Sequence, residues 1–180
     1  PIPVAVTGSK TFSRLEAGNQ HTCGLTSSGA AWCWGYNGQG QLGDGAINWW
    51  GATIAPVTVA GGRAFGSIVA GDSHTCGLTA AGAAWCWGYN GQGQLGDGAA
   101  NQASTPVAVT GGKAFAMLVA GSSHTCGLTA TGAAWCWGWD QYGQLGDGTT
   151  NQATAPVAVT GGKAFTALAA GTSHTCGLTE

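Results

Sequence analysis

The sequence is poor in charged residues. Asp, Glu, Lys and Arg make up only 7% of its 180 residues, against about 25% in ordinary domains. The five basic side chains are scattered and the formal net charge is −2. Binding to nucleic acid or to an anionic membrane needs a concentrated basic surface. The composition therefore predicts neither partner.

Helical patterns and long apolar runs are also missing. No segment combines helix caps with apolar residues at helical spacing, and none approaches the ~20 apolar residues of a spanning helix. No signal peptide or initiator Met precedes Pro1. We interpret the sequence as a mature or partial chain.

Glycine, cysteine and tryptophan are abundant, and they recur in a fixed order. The run His21-Thr22-Cys23-Gly24-Leu25-Thr26 returns at His74, His124 and His174. A second run, Ala31-Trp32-Cys33-Trp34-Gly35, returns at Ala84 and Ala134. A glycine-rich stretch that closes with Gly-Gln-Leu-Gly-Asp-Gly follows each complete copy. The chain is therefore an array of repeats of about 50 residues.

The two runs predict the arms of a β-hairpin. Between them, Thr26 to Ala30 forms a bend with glycine last in the loop, where the backbone turns left-handed. If Thr26 lies opposite Ala30, Cys23 lies opposite Cys33 at a non-hydrogen-bonded pair, ~4.5 Å apart at Cα. A disulfide accepts that separation. The predicted disulfides are Cys23–Cys33, Cys76–Cys86 and Cys126–Cys136, with Cys176 unpaired or bonded to another molecule.

Two alternatives remain for the cysteines. His21, Cys23 and Cys33 could together hold zinc, but their spacing matches no common zinc module and no fourth ligand repeats with them. Free buried thiols are the other alternative. We predict no metal and no cofactor. Disulfides indicate an oxidising compartment, so we expect an extracellular protein, secreted or at the cell surface.

Each repeat contains four short strands and no helix. They are the Pro-Val-x-Val run, the run from Phe to Ala-Gly, and the two hairpin arms. Four strands in about 50 residues are typical of a propeller blade, which must pack on neighbouring blades. We expect Phe12, Leu25 and Trp32, with their equivalents, to form the packing between blades. Gly24 is expected to leave space for Trp32.

The predicted fold class is therefore all-β, with propeller blades of four antiparallel strands. Residues 1–180 form a single repeat domain. Its approximate units are 1–53, 54–103, 104–153 and an incomplete 154–180. The expected architecture is a partial ring with three full blades and part of a fourth.

The repeat resembles the regulator of chromosome condensation repeat, in its bacterial, cysteine-containing form. The residues that carry the resemblance are Ala17-Gly18, His21, Leu25, Gly29, Trp34-Gly35, Asn37 and Gly40-Gln41-Leu42-Gly43. The third copy departs from the pattern, with Asp140 in place of Asn37. The resemblance implies a seven-bladed ring, which needs about 350 residues at this period. This chain has fewer than four units.

No residue pattern predicts an enzyme. The sequence has no paired acids for general acid–base chemistry, and no nucleophile with a base that is unique in the chain. The Gly-Gln-Leu-Gly-Asp-Gly run lacks the lysine of a phosphate-binding loop and opens no helix. Asp44, Asp97 and Asp147 within it are expected to hydrogen-bond their own turns rather than to bind calcium.

Residues that differ between repeats are the candidates for partner contact, because the shared residues are needed to build the blade. Exposed aromatic residues are favoured at protein interfaces and in sugar sites. The candidates are Trp49 and Trp50 in an insertion, and Tyr36, Tyr89, Trp139, Asp140 and Tyr142 in the glycine-rich loops. Tyr36 and Tyr89 could instead cover the blade rim.

We therefore expect a non-enzymatic module for protein–protein contact, with copies of itself among its partners. A glycan-binding propeller is the alternative. Guanine-nucleotide exchange on a small GTPase is implied by the name-giving member of the family. It ranks last, because no residue here matches the loops that perform it.

Overall fold

A computed structural model describes residues 5–180, and every regular element in that range is a β-strand. The all-β prediction is therefore confirmed. Pro3 and Val4 of the first predicted strand lie outside the described residues, and Ala5 and Val6 are not in a strand. Within residues 5–180 no helix is long and apolar enough to cross a bilayer.

Fourteen strands follow one another along the described chain. They are β1 (Arg14–Ala17), β2 (His21–Leu25), β3 (Ala31–Asn37), β4 (Asn48–Thr58), β5 (Ser67–Ala70), β6 (His74–Leu78), β7 (Ala84–Gly88), β8 (Ala103–Ala108), β9 (Phe115–Ala120), β10 (His124–Thr129), β11 (Ala134–Gly138), β12 (Ala153–Ala158), β13 (Ala167–Ala170) and β14 (Thr175–Leu178).

The strands form four antiparallel sheets, which are the blades. Strands β1 to β4, β5 to β8 and β9 to β12 each form a four-stranded sheet in chain order, and β13 and β14 form a two-stranded one. The first strand of each blade contacts the first strand of the next, so β1, β5, β9 and β13 lie innermost. This is a partial propeller of three full blades and an incomplete fourth, as predicted.

Blades and sequence repeats are offset by one strand. The Pro-Val-x-Val run that opens the second sequence unit lies in β4 and pairs with β3 of the first blade, where Val57 faces Cys33. Val107 likewise faces Cys86, and Val157 faces Cys136. Each blade thus takes its outer strand from the start of the following unit. This arrangement ties successive units together through backbone hydrogen bonds.

The central hairpin has the predicted register. Leu25 pairs with Ala31, Gly24 with Trp32, and Cys23 with Cys33. Gly29 ends the loop at a φ of 80°, the left-handed conformation that favours glycine. The Thr26 N–H donates to the Ala30 carbonyl at 3.0 Å and closes the bend. The second and third hairpins repeat this register.

The three predicted cysteine pairs are disulfides in the structure, each with a Cα–Cα separation of 4.1 Å. They are Cys23–Cys33, Cys76–Cys86 and Cys126–Cys136. Cys176 is free and exposed. Each bridge joins the two middle strands of a blade and is fully buried or nearly so. The sulfurs therefore form part of the packing between blades as well as a crosslink within one.

Thiol counting tests the three bridges directly. Alkylation of the denatured, unreduced protein should label one cysteine, and alkylation after reduction should label all seven. Intact-mass spectrometry gives both counts. Three or more labels before reduction would contradict the pairing. No label, in a dimer that dissociates on reduction, would place Cys176 in an intermolecular bond.

Blade-to-blade packing uses a different tryptophan from the one expected. Leu25 and Phe65 are buried where the first two blades meet, as predicted. The fully buried indoles, however, are Trp87 and Trp137, the equivalents of Trp34. The prediction for Trp32 holds only in part, because its equivalents Trp85 and Trp135 pack against the same clusters but are only partly buried.

The space beside Gly24 is also taken by a different residue. A Cβ at Gly24 would lie 2.6 Å from the Phe12 ring, and one at Gly77 would lie 2.5 Å from the Phe65 ring. Glycine at this position therefore makes room for the phenylalanine ring and not for Trp32. This corrects the sequence-based expectation. Trp32 instead lies beneath Lys10, whose ammonium is 4.1 Å from the ring centroid. Arg63 and Lys113 stack on Trp85 and Trp135 in the same way.

Candidate functional site

The glycine-rich loops lie at one end of the propeller and join each blade to the next. Each loop connects the third strand of a blade to its fourth. The Gly45 N–H, in the first loop, donates to the Ser104 carbonyl of the second blade at 2.9 Å. Gly43, with a φ of 72°, lies against the Trp87 indole, so closely that a Cβ would come within 2.6 Å of it. The run is a turn that clasps the next blade, as its lack of phosphate-loop features suggested.

A buried hydrogen-bond chain crosses each blade junction beneath these loops. Thr75 Oγ donates to the Gln41 carbonyl at 2.9 Å, and this carbonyl also accepts the Trp87 indole N–H at 3.0 Å. Since the Thr75 proton is used there, the hydroxyl oxygen accepts from His21 Nε2 at 2.8 Å. His74, Thr125 and the Gln94 carbonyl repeat the chain at the next junction.

This chain requires the histidines to be neutral. The Nδ1 atoms of His21, His74 and His124 are buried without a hydrogen-bond partner, so a second proton there would be unsolvated. Burial lowers the pKa of His21 to about 4. Burial, with repulsion from the other two, lowers the pKa of His74 to about 3. These histidines are structural hydrogen-bond donors, and the geometry gives them no role as ligands or bases.

The aspartates of the loops hydrogen-bond their own turns, as predicted. Asp44 Oδ1 accepts the Ala46 N–H at 3.0 Å and the Asn37 side-chain amide at 3.1 Å. Asn37 is buried, and its Oδ1 accepts the Leu42 N–H at 3.1 Å. Asn90 and Asp97 repeat these contacts in the second loop.

Tyr36 and Tyr89 fold back over their own loops. A Cβ at Gly38 would collide with the Tyr36 hydroxyl, and one at Gly91 would collide with that of Tyr89. Both tyrosines are half-buried. This placement fits the rim-cover interpretation of these two residues. Their part in partner contact stays a prediction.

The insertion lengthens the outer strand of the first blade and exposes its aromatic residues. Trp49 and Trp50 lie at the start of β4 and are 52% and 98% exposed. Ile54 lies four residues further along β4 and is 88% exposed. Sequence reasoning missed Ile54. A usable signal was present, because the later repeats have Ser104 and Thr154 at this position.

The third loop carries a second exposed aromatic group. Trp139 and Tyr142 meet edge to face, with ring centroids 5.3 Å apart, and Tyr142 is 67% exposed. Asp140 lies between them in sequence but is buried beneath the loop. The structure thus brings Trp139 and Tyr142 together and separates Asp140 from the exposed surface. Asp140 as a surface contact is not supported by its position.

Within residues 5–180, no three His, Cys, Asp or Glu side chains cluster in a way that could hold a metal ion. The surface instead carries exposed aromatic side chains on loops, and the disulfide-crosslinked blades hold these loops in place. This combination suits binding to a partner, because the shared interior fixes the blades while the loops vary.

Disulfide-crosslinked four-stranded blades around an axis, joined by glycine-rich loops, define a β-propeller of the repeat type. The chain matches the regulator of chromosome condensation (RCC1) repeat over residues 28–78, 81–128 and 131–178. A second description of the same repeat matches residues 12–41 and 67–94. The chain belongs to the RCC1 repeat family.

Two curated relatives show how small a part of longer proteins the similarity covers. The human probable E3 ubiquitin-protein ligase HERC3 is 34% identical over 87 residues, which are 48% of this chain and 8% of that protein. The ultraviolet-B receptor UVR8 of Arabidopsis thaliana is 34% identical over 99 residues, which are 54% of this chain and 22% of the receptor.

Solved structures share the fold. Prp20p of Saccharomyces cerevisiae superposes with a TM-score of 0.84 at 20% identity, over 94% of this chain and 44% of that one. The ectodomain of the Physcomitrella patens receptor kinase CR4 superposes with a TM-score of 0.62 at 29% identity, over 97% and 38%. In both, the matched part is less than half of the longer propeller chain.

Proposed function

We propose that the chain is a non-enzymatic protein-interaction module that uses the end of the propeller formed by the glycine-rich loops. The observation that carries the proposal is the exposure of Trp50, which is 98%, beside Trp49 at 52%. Neither residue is needed to build the blade, since the second and third repeats lack the insertion. Aromatic residues of this kind are typical centres of protein interfaces.

The three disulfides support an extracellular location, because such bonds persist in oxidising compartments. The similarity to a receptor-kinase ectodomain agrees with this setting. Prp20p, whose structure was described together with its binding to Gsp1p and histones, gives a precedent for protein binding on this fold. We propose no nucleotide-exchange activity for this chain.

Affinity capture tests the contact surface. The wild-type protein and the double variant Trp49→Ser, Trp50→Ser are immobilised and exposed to the secreted and surface proteins of the source cells. We expect the wild type to capture a discrete set of proteins. The captured amount of each should be at least tenfold lower on the double variant, since central aromatic contacts contribute about 2 kcal/mol or more each.

The control places similar changes in the matching loop of the second repeat, at Ala99→Ser and Ala100→Ser. These variants should capture the wild-type set. Equal capture by all three proteins would reject Trp49 and Trp50 as the contact surface.

Copies of the chain are a second partner that we propose. Cys176 and Leu178 lie on β14, and Leu178 is 67% exposed, whereas Leu128 at the same position of β10 is buried against the next blade. Sedimentation velocity should show a concentration-dependent association that Leu178→Lys weakens. A single monomeric species at all concentrations would reject self-association.

Glycan binding is the alternative that Trp139 and Tyr142 favour, because the exposed face of an aromatic ring offers a flat apolar surface to a sugar ring. A glycan array decides between the two. Glycan hits that are lost in Tyr142→Ala would support a lectin-like role. An array without hits would reject glycan binding.

A further inference from the structure

The third glycine-rich loop differs from the first two at one buried side chain. In the second loop the Asn90 side-chain NH2 donates to Asp97 Oδ1 at 3.0 Å and to the carbonyls of Ala99 and Asn101, both at 3.1 Å. Three oxygens thus converge on one donor group. The third loop has Asp140 in place of that asparagine.

Two hydrogen bonds of the second loop recur in the third, where the Thr149 hydroxyl also donates to Asp147 Oδ2 at 3.1 Å. The Leu145 N–H donates to Asp140 Oδ1 at 2.8 Å, as the Leu95 N–H donates to Asn90 Oδ1. The Thr149 N–H donates to Asp147 Oδ1 at 2.8 Å, as the Ala99 N–H does to Asp97. Since both flanks are preserved, Asp140 Oδ2 occupies the place of the asparagine nitrogen.

By this correspondence we expect only acceptors around Asp140 Oδ2. The counterparts of the three oxygens around Asn90 are the Asp147 carboxylate and the carbonyls of Thr149 and Asn151. Asp140 is 0% exposed, and its Oδ2 is buried without a hydrogen-bond partner. A buried, unpaired carboxylate oxygen beside a second carboxylate is strongly unfavourable unless a positive charge or a proton joins them.

We propose that Asp140, Asp147 and the carbonyls of Thr149 and Asn151 bind one calcium ion, which departs from the sequence-based expectation of no metal and of a turn role alone for Asp147. The ligand set consists of oxygens alone, with two carboxylates and two backbone carbonyls, which is the chemistry that Ca²⁺ prefers. Thr149 and Asn151 are exposed, so water can complete the six to eight ligands. Gly148 in the same stretch lets the outer ligands move to the separation that an ion requires.

The electrostatics of the loop agree with this assignment. The Asp140 carboxylate is buried near that of Asp147, so desolvation and like-charge repulsion both disfavour a charged pair. A bound divalent cation would remove that penalty, because it attracts both carboxylates. The ion would also fix the loop that carries Trp139 and Tyr142, which links the site to the exposed aromatic pair.

Calorimetric titration of the calcium-free protein with CaCl2 at pH 7.5 tests the site. We expect one ion per chain, with a dissociation constant between about 10 µM and 1 mM, the range of sites with few carboxylates. At free Ca²⁺ about a hundredfold above that constant, the Tm should rise by about 5 °C or more. Terbium should also bind and give luminescence sensitised by Trp139.

Two variants exploit the repeat as an internal control. Asp140→Asn restores the amide of the other loops, so it should abolish calcium binding while its calcium-free Tm equals or exceeds that of the wild type. Asn90→Asp recreates the acidic pair in the second loop and should raise the stoichiometry to two. If Asn90→Asp does not fold, the wild type and Asp140→Asn still decide the matter.

A wild-type protein that gives no heat, no terbium luminescence and no Tm change at about 10 mM Ca²⁺, tenfold above the weakest dissociation constant expected, would overturn the proposal. The same holds if Asp140→Asn binds calcium as well as the wild type. If the Tm of the wild type falls less on acidification than that of Asp140→Asn and does not respond to calcium, a shared proton satisfies the pair, and that result would likewise overturn the proposal.

Discussion

Trp137→Ala should lower the free energy of unfolding by about 3–5 kcal/mol, the usual cost of deleting a fully buried tryptophan. Trp137 is 0% exposed and lies between the second and third blades. Its indole N–H donates to the Gln94 carbonyl at 2.9 Å, and its ring packs on Phe115 with centroids 5.8 Å apart. Urea denaturation followed by far-ultraviolet circular dichroism measures the loss.

The matched control is Trp34→Ala. Trp34 holds the same position in the first blade and packs on Phe12 with centroids 5.6 Å apart, yet it is only half-buried. We expect the same deletion to cost less than half as much there. Equal losses for the two variants would show that packing within a blade, and not the junction between blades, gives this tryptophan its importance.

The hairpins and disulfides were predictable because their determinants are local. The loop glycine at Gly29 and the pairing outward from it fix the register within a dozen residues. Cys23 and Cys33 then face each other whatever the rest of the chain does. The propeller followed from the repeat, since a four-stranded unit of this length must pack on its neighbours.

Gly24 opposite Trp32 favoured that tryptophan for the junction, and strand periodicity could not show that Trp34 is the more buried of the two. Trp32 and Trp34 are two residues apart, so both point to the same face of the blade. Which one is buried depends on where the neighbouring blade crosses that face. In the structure the glycine-rich loop of the preceding blade covers Trp87, the equivalent of Trp34. Lys or Arg covers the Trp32 position.

The hydrogen-bond chain at the blade junctions was beyond sequence reasoning for a related reason. His21 and Thr75 are 54 residues apart, and their contact exists only once two blades have packed. The candidate contact surface was more accessible, because an insertion that the fold does not need tends to lie at the surface. That reasoning found Trp49 and Trp50 but not Ile54, whose position lies in the shared strand rather than in the insertion.

The stability of the propeller should fall steeply as the pH drops from 7 to 5. Burial lowers the pKa of His21 and His124 to about 4 and that of His74 to about 3, from 6.5. At pH values between the lowered pKa values and 6.5, the histidines are protonated in the unfolded chain but neutral in the folded chain. Stability is therefore complete above pH 6.5 and is lost as the pH falls below it.

Each of the three histidines should cost about 2 kcal/mol by pH 5, so the total loss approaches about 6 kcal/mol, a large share of the stability of an ordinary domain. Urea denaturation at pH 7, 6 and 5 measures this loss of stability.

In His74→Gln the amide can still donate to Thr125 but binds no proton, so the pH dependence of stability should shrink by about one third. If His74→Gln has the wild-type pH dependence, the acid sensitivity arises from carboxylates rather than from the histidines between the blades.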